Sequence, residues 1–472
     1  MIKRREIDFT HGPLLKNMIL YALPIIGVNV LQLLFTAADL SVLGIVTKND
    51  SAIAAVGAST NIVNLLVGAF TGLTLSANVA VARCKGAKDM EKSRRFVGTS
   101  MFCSIFFGLI ITVVGILCAE SFLRWTDCPE SVLPYAATYL RIYFLGAPVL
   151  LIYNFSASIL RAVGDTVRPL YFLIIGGAMN VVLNVFFVAV VGWDIEGVAV
   201  ATVASNAFCA VATLTVILKN DGYAKLERRY FRISREELRE LLVVGLPLAL
   251  SKSLFSIANV LTITEINRLG EAATTSYSVT KEFDGFILEA SHAIGAANLA
   301  VVSQNYGARR MDRVKRVLGI TFLLQLAVCG TLGVALLFVG RPLCSILTDT
   351  ELVLDLCFVR ITTVSIAYIF NGSISMVQEG IRGIGYSFTS LMNSMFSNIV
   401  IRIIYLKLVL PHLMIEGEIA YNLRMIYLLY PASWILGTFS GLAILLVLYR
   451  RVKRRFAAED AAEAAPVPAT AG

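Results

Sequence analysis

Apolar residues in this chain come in runs too long for the helices of a soluble core, separated by short polar stretches. A helix crosses the hydrocarbon layer of a bilayer with about 20 apolar residues. Twelve runs reach that length, at about 15–45, 53–82, 95–119, 133–158, 168–191, 196–218, 238–267, 273–303, 316–340, 352–378, 387–410 and 424–449. Several are longer than a bilayer needs, so they should tilt, kink or project beyond it. The stretch Tyr21–Gly44 is interrupted chemically in two places. Pro24 removes a backbone donor and predicts a helix kink. Asp39 puts a carboxylate at membrane depth, which costs roughly 2.5–3.5 kcal/mol even on lenient insertion scales and usually marks a pathway. The blander reading is that Asp39 sits near the helix end and reaches headgroup water.

The polar stretches set the orientation. If the N-terminus is inside, thirty Lys and Arg fall in inside segments and five in outside loops. That bias satisfies the positive-inside rule and an even span count, with both termini cytoplasmic. The expected location is a multi-pass protein of the plasma or inner membrane.

Composition agrees. The 472 residues are 57% hydrophobic and 15% charged, against roughly 25% charged in soluble domains, with mean hydropathy +0.75. The net charge of +9 belongs to inside loops and is no nucleic-acid footprint. Eight cysteines are scattered without a CxxC pair, so neither a metal site nor a disulfide framework is indicated. The charged start MIKRREIDFT lacks a cleavage site after it and does not read as a removable signal peptide.

The chain also repeats itself. GAKDMEKSRRFVG at Gly86 matches GARRMDRVKRVLG at Gly307; RAVG at Arg161 matches RGIG at Arg382; IEG recurs at Ile195 and Ile415; Pro24 and Pro247 each follow a leucine-rich start. The offsets agree to within a few residues, which is a duplication. Each unit holds six spans, an even number, so both copies enter the membrane from the same side. The fold expected is an all-α polytopic membrane protein of twelve transmembrane helices in two six-helix lobes, parallel repeats about an axis along the membrane normal. The lobes would be 1–218 and 238–450, with a cytoplasmic linker at 219–237 and a disordered tail at 451–472.

On these residues the chain resembles the multidrug and toxic-compound extrusion (MATE) family. The resemblance rests on Pro24 and Asp39, GLTLSANVAVARCKGAKD at Gly72–Asp89, LRAVGDTVRP at Leu160–Pro169, the pair Asn180 and Asn184, and ATVASN at Ala201–Asn206. It implies a monomeric secondary antiporter exporting small organic cations in exchange for Na⁺ or H⁺, with membrane lipids as surroundings and no other cofactor. It also implies that Asp39, Asn180, Asn184 and Thr202 form the coupling-cation site. The residues fit that role. Asn180 and Asn184 are one helical turn apart on one face, and one carboxylate with three neutral oxygens suits a hard cation. The alternative is that the two amides only bond helices together.

The second half departs from the pattern and concentrates Lys281, Glu282, Asp284, Glu289 and His292 on span 8, where Glu282 and Glu289 share a face and His292 is three residues beyond Glu289. They could line a substrate or proton pathway, or make satisfied contacts that serve packing. Arg360 and Arg402, also at membrane depth, would neutralise such acids. No nucleotide-binding or zinc-protease motif occurs. A lipid-linked saccharide flippase is the alternative function. An intramembrane enzyme lacks a catalytic constellation, since Ser251, Lys252 and Ser253 are adjacent and point apart.

Overall fold

The computed structural model describes residues 6–46, 50–126 and 128–463. Among them there is helix and turn but no strand. In chain order the helices are α1 (Leu14–Val46), α2 (Asp50–Ala87), α3 (Met90–Trp125), α4 (Leu133–Leu145), α5 (Ala147–Ala162), α6 (Val167–Val185), α7 (Ile195–Leu218), α8 (Arg235–Asn267), α9 (Glu271–Gly307), α10 (Met311–Cys344), α11 (Glu351–Val364), α12 (Tyr368–Gly383), α13 (Ser387–Met395), α14 (Ile401–Ile404), α15 (Leu410–Leu413), α16 (Ile419–Tyr427) and α17 (Leu429–Glu463). Helices dominate because a lipid-exposed backbone must satisfy its own polar groups. Nine of the described helical segments are long and apolar enough to cross a bilayer on their own. The pairs α4–α5 and α11–α12 each pass together as one bent span. The 38-residue α2, richer in Ser, Thr, Asn and Gly, completes twelve. Large apolar side chains such as Leu117, Val190 and Phe338 stand exposed on the outside, as a lipid-facing surface requires.

The duplication predicted from sequence is visible in backbone detail. The fourth span of each repeat is broken, by 51° between α4 and α5 and by 50° between α11 and α12. In each, a glycine of the preceding span packs against the bend: a Cβ on Gly108 would lie 2.5 Å from Pro148, and one on Gly333 would lie 2.2 Å from the Ser365 carbonyl. Gly164 and Gly385, equivalent in the repeats, both have positive φ, 89° and 104°. A side chain is rarely tolerated there.

The lobes meet at the end of the bundle that carries the basic loops. Here the repeats touch reciprocally. A Cβ on Gly86 would lie 1.8 Å from the Gln304 carbonyl oxygen, and one on Gly307 would lie 2.1 Å from that of Arg83. Gly86 is equivalent to Gly307, and Arg83 to Gln304, so this is one contact made twice about the pseudo-axis. Arg83 Nη2 then donates across the seam to the Arg382 carbonyl at 3.0 Å. The segment before α1 straps the same end. Phe9 is fully buried; its N–H donates to Gln304 Oε1 at 2.7 Å and its carbonyl accepts from Arg313 at 3.0 Å. Ile7, two residues earlier, bonds the first lobe through Lys85 Nζ at 3.1 Å.

The linker between repeats is tied down. Its Glu227 pairs with Arg94, and Ser93 Oγ donates to the Tyr223 carbonyl at 2.8 Å. Burial works to raise the Glu227 pKa, but Arg229 and Arg94 outweigh it and hold it below the usual glutamate value.

The expectation of a disordered tail from 451 requires correction. α17 continues to Glu463. The reason is an apolar stripe: Val452 and Phe456 are buried against the second lobe, while Lys453 reaches Asp312 at 2.9 Å and Arg309 reaches Asp460 at 2.6 Å. The sequence beyond Glu463 lies outside the described residues.

The seam gives a test. Val in place of Gly307 has no room unless the two backbones part, because the obstructing atom is a carbonyl and not a flexible side chain. Spin labels at Arg95 and Lys315, in a cysteine-free background, should move apart by several ångströms, about the size of the side chain inserted. An unchanged distance would mean that the strain is absorbed elsewhere.

Candidate functional site

In the first lobe, α1 and α6 run side by side because each presents a glycine to the other. A Cβ on Gly177 would lie 1.7 Å from the Phe35 ring, and one on Gly27 would lie 3.3 Å from Leu170. Phe35 thus settles directly on the α6 backbone. One helical turn further along α1, this register delivers Asp39 to Asn184. Asn184 Nδ2 donates to Asp39 Oδ1 at 2.5 Å and lies 3.3 Å from Asn180 Oδ1. Asn180 Nδ2 in turn donates to Thr202 Oγ1 on α7 at 3.4 Å, and the Thr202 hydroxyl donates to the Val198 carbonyl at 2.9 Å.

All four residues predicted from sequence therefore form one connected cluster. Asn180 and Asn184 are buried, and Asp39 is half-buried. Asn184 Oδ1 is buried without a hydrogen-bond partner among the described residues. No Lys or Arg pairs with Asp39 among them. A carboxylate beside an unpartnered amide oxygen is an oxygen-rich, net negative pocket, the donor set for a hard cation. Immediately after Asn184 the helix loosens into a π-turn over Phe186–Val190, a distortion frequent at functional sites. Pro24, proposed as a kink, lies inside a helix that runs without interruption from Leu14 to Val46.

The second lobe arranges its charges differently. Asp284 and Arg360 form a buried ion pair. The Arg360 guanidinium also lies 4.6 Å from the Tyr277 ring, 5.4 Å from Tyr427 and 5.7 Å from Tyr430. Arg360 thus neutralises one of the span 8 acids, as expected, and that acid is Asp284. Glu289 lies 3.9 Å from His292. Glu282 is exposed and makes no ion pair with the described residues. The three pathway candidates therefore do not gather into one cluster: Glu289 and His292 meet, and Glu282 stands apart. Ser251 and Ser253 donate to carbonyls of their own helix, at Pro247 and Ala249, so neither hydroxyl is turned toward Lys252. Asp165 accepts from the Arg168 N–H at 3.2 Å, the helix-start role its turn suggests.

Sequence reasoning undervalued the aromatic box around Arg360 and Arg402. Its tyrosines come from two separate spans, Tyr277 from α9 and Tyr427 and Tyr430 from the last, and the signal available was their coincidence with arginines at membrane depth.

The MatE family profile matches residues 24–186 and 247–406, one segment in each repeat. Among characterised sequences, the chain is 27% identical over 71% of its length to "Probable multidrug resistance protein YoeA" of Bacillus subtilis, covering 74% of that protein. It is 29% identical over 66% of its length to "Probable multidrug resistance protein YpnP" of the same organism, covering 69% of that one. Among solved structures, an outward-facing multidrug resistance MATE transporter of the MOP superfamily superposes with TM-score 0.86 at 21% identity, covering 95% of this chain and 100% of that one.

The α1–α6 contact is open to direct test. Gly177→Ala drives a methyl into the Phe35 ring and should destabilise the protein by about 1–3 kcal/mol, the usual cost of overpacking. Phe35→Leu in the same chain should recover most of the loss in a thermal unfolding assay in detergent. No loss in the single variant would show that Phe35 is not held against α6.

Proposed function

We propose that this chain, which belongs to the MatE family, is a secondary active antiporter of the plasma or inner membrane that expels small amphipathic organic cations in exchange for Na⁺ or H⁺. The observation that carries the reading is the cluster of Asp39, Asn184, Asn180 and Thr202, an unpaired acid ringed by neutral oxygens and amides at membrane depth. The names of the relatives support the export of drugs, and an acid at membrane depth supports a preference for cations.

Physical chemistry links the two possible coupling ions. Burial favours the protonated acid, and a bound cation favours the carboxylate. A proton and Na⁺ therefore compete for Asp39. Sodium needs several oxygens, and Asn184 Oδ1, Asn180 Oδ1 and Thr202 Oγ1 are the atoms on hand. A proton needs only the carboxylate. The donor set favours Na⁺, with the proton as competitor. Alternating access then follows from differential affinity. A ligand shifts a two-state protein only as far as it prefers one state, and ion and drug drive opposite halves of the cycle.

The rival flippase would need a cavity basic enough for a pyrophosphate. Of the buried arginines described in the second lobe, Arg360 is paired with Asp284 and Arg382 with Glu379, which leaves Arg402, and the first lobe offers an acid, a poor match to that cargo.

In liposomes under an imposed gradient, Asp39→Asn keeps the shape and removes the charge. Coupled export of an ethidium-like dye should fall to the rate of protein-free vesicles. Asn184→Ala should weaken a Na⁺-driven rate by about tenfold, the effect of one lost charge-assisted bond of about 1.5 kcal/mol, while largely sparing a proton-driven one. Full export by Asp39→Asn under both gradients would remove Asp39 from the mechanism.

Orientation is tested separately. A cysteine at Asp221 should be shielded from an impermeant thiol reagent in intact cells, and one at Glu130 should react. Labelling at Asp221 from outside would reverse the assignment.

A further inference from the structure

We infer that the second lobe carries an anion-binding site at Arg402, which takes the carboxylate or phosphate of an amphipathic molecule on the free Nε–Nη2 edge of its guanidinium. The inference concerns the lobe opposite Asp39 and does not rest on the export reading.

Arg402 is fully buried. Its Nη1 donates to Asn259 Oδ1 at 3.0 Å. Its Nε and Nη2 are buried without any hydrogen-bond partner among the described residues. The guanidinium lies 5.0 Å from the Tyr430 ring and 5.9 Å from Phe255. No carboxylate pairs with it among the described residues, because the acid of this core, Asp284, is taken by Arg360. Two guanidinium groups therefore flank Tyr430, from 5.7 Å and 5.0 Å, with a single carboxylate between them.

An arginine cannot shed its charge, and it offers five donors and no acceptor. Burying a lone ion costs several kcal/mol after relaxation. Aromatic faces return only part of that cost. The two unsatisfied atoms are also not a random pair. Nε–H and Nη2–H lie on the same edge of the plane and point in parallel, the fork that holds both oxygens of a carboxylate or phosphate. A neutral acceptor would leave the buried charge uncompensated, and a cation would be repelled. On α8, Lys252, Phe255 and Asn259 lie three to four residues apart on one face. Lys252 is exposed, and Phe255 and Asn259 are only half-buried.

The two lobes thus present opposite unpaired charges, Asp39 in one and Arg402 in the other. A molecule with an aromatic body and an anionic head matches the second.

The test uses the purified full-length protein in phosphatidylcholine nanodiscs and two dyes that differ only at the carboxyl group: rhodamine 19, the free acid, and rhodamine 6G, its ethyl ester. By fluorescence polarisation, the wild type should bind the acid more tightly than the ester. Arg402→Gln should weaken the acid about tenfold to a hundredfold, the range for a lost charged hydrogen bond, and leave the ester within about twofold. Arg402→Lys, with charge but no fork, should fall between. Because a buried arginine variant can fail to fold, the wild type is also titrated with hexanoate and hexylammonium; hexanoate alone should displace the acid. Phosphatidylglycerol mixed into the nanodiscs separates the sources of the anion. Displacement of the acid by that lipid supports the site and assigns it to a headgroup, and no displacement assigns it to a soluble amphipath. Equal binding of acid and ester by the wild type, with no effect of hexanoate, would overturn the inference.

Discussion

The arrangement depends on two glycines that let the repeats touch backbone to backbone. Gly86 and Gly307 occupy equivalent places, and each faces a carbonyl of the other repeat closer than any side chain could allow. Without a hydrophobic effect between helices in lipid, association relies on close packing and on hydrogen bonds. Close approach at this seam supplies the first. The bonds of Arg83, Phe9, Asn305 and Arg313 across it supply the second. The polar end of the bundle is thereby sealed by main-chain geometry that two repeats of one sequence reproduce.

Small residues repeat the same device within each lobe. Gly177 admits Phe35 and so sets the register of α1 on α6. That register, and no property of Asp39 itself, puts the carboxylate on Asn184. The broken fourth spans are held by Gly108 and Gly333 in the same way. Each close contact leaves nearby polar groups with few neighbours to choose from, which is why the Asp39 cluster bonds in a chain from one helix to the next.

Much of this was legible in the sequence. The twelve spans follow from the lengths of apolar runs, and the duplication from four matches in register. The site was legible because an acid and two amides at helical spacing are costly in lipid and have few uses there. What was not legible depends on distance across the fold. The Asp284–Arg360 pair joins α9 to α11, and no local pattern distinguishes it from Glu289, which meets only its neighbour His292. The helical end of the chain was misread because its many alanines and charges suggested solvent, whereas two apolar residues one turn apart, Val452 and Phe456, were enough to dock it. The isolation of Arg402 is a statement about what is missing around it, and a sequence records only what is present.

The element that ties these features together is α1. It carries Asp39 in the first lobe, and its Asn29 amide donates to the Glu289 carbonyl of α9 in the second at 3.4 Å. Its base is pinned by Phe9, which stacks edge-on against Tyr21 at 5.2 Å while bonding Gln304. Tyr21 in turn donates to the Arg161 carbonyl at 3.0 Å. Under the proposed coupling, a change in what Asp39 holds would alter its bond to Asn184, and with it the attraction between α1 and α6. Because α1 also leans on α9, that change would act on a helix that touches both lobes. Under the proposed coupling, the position of Asp39 on a helix that bonds both lobes matters alongside its chemistry.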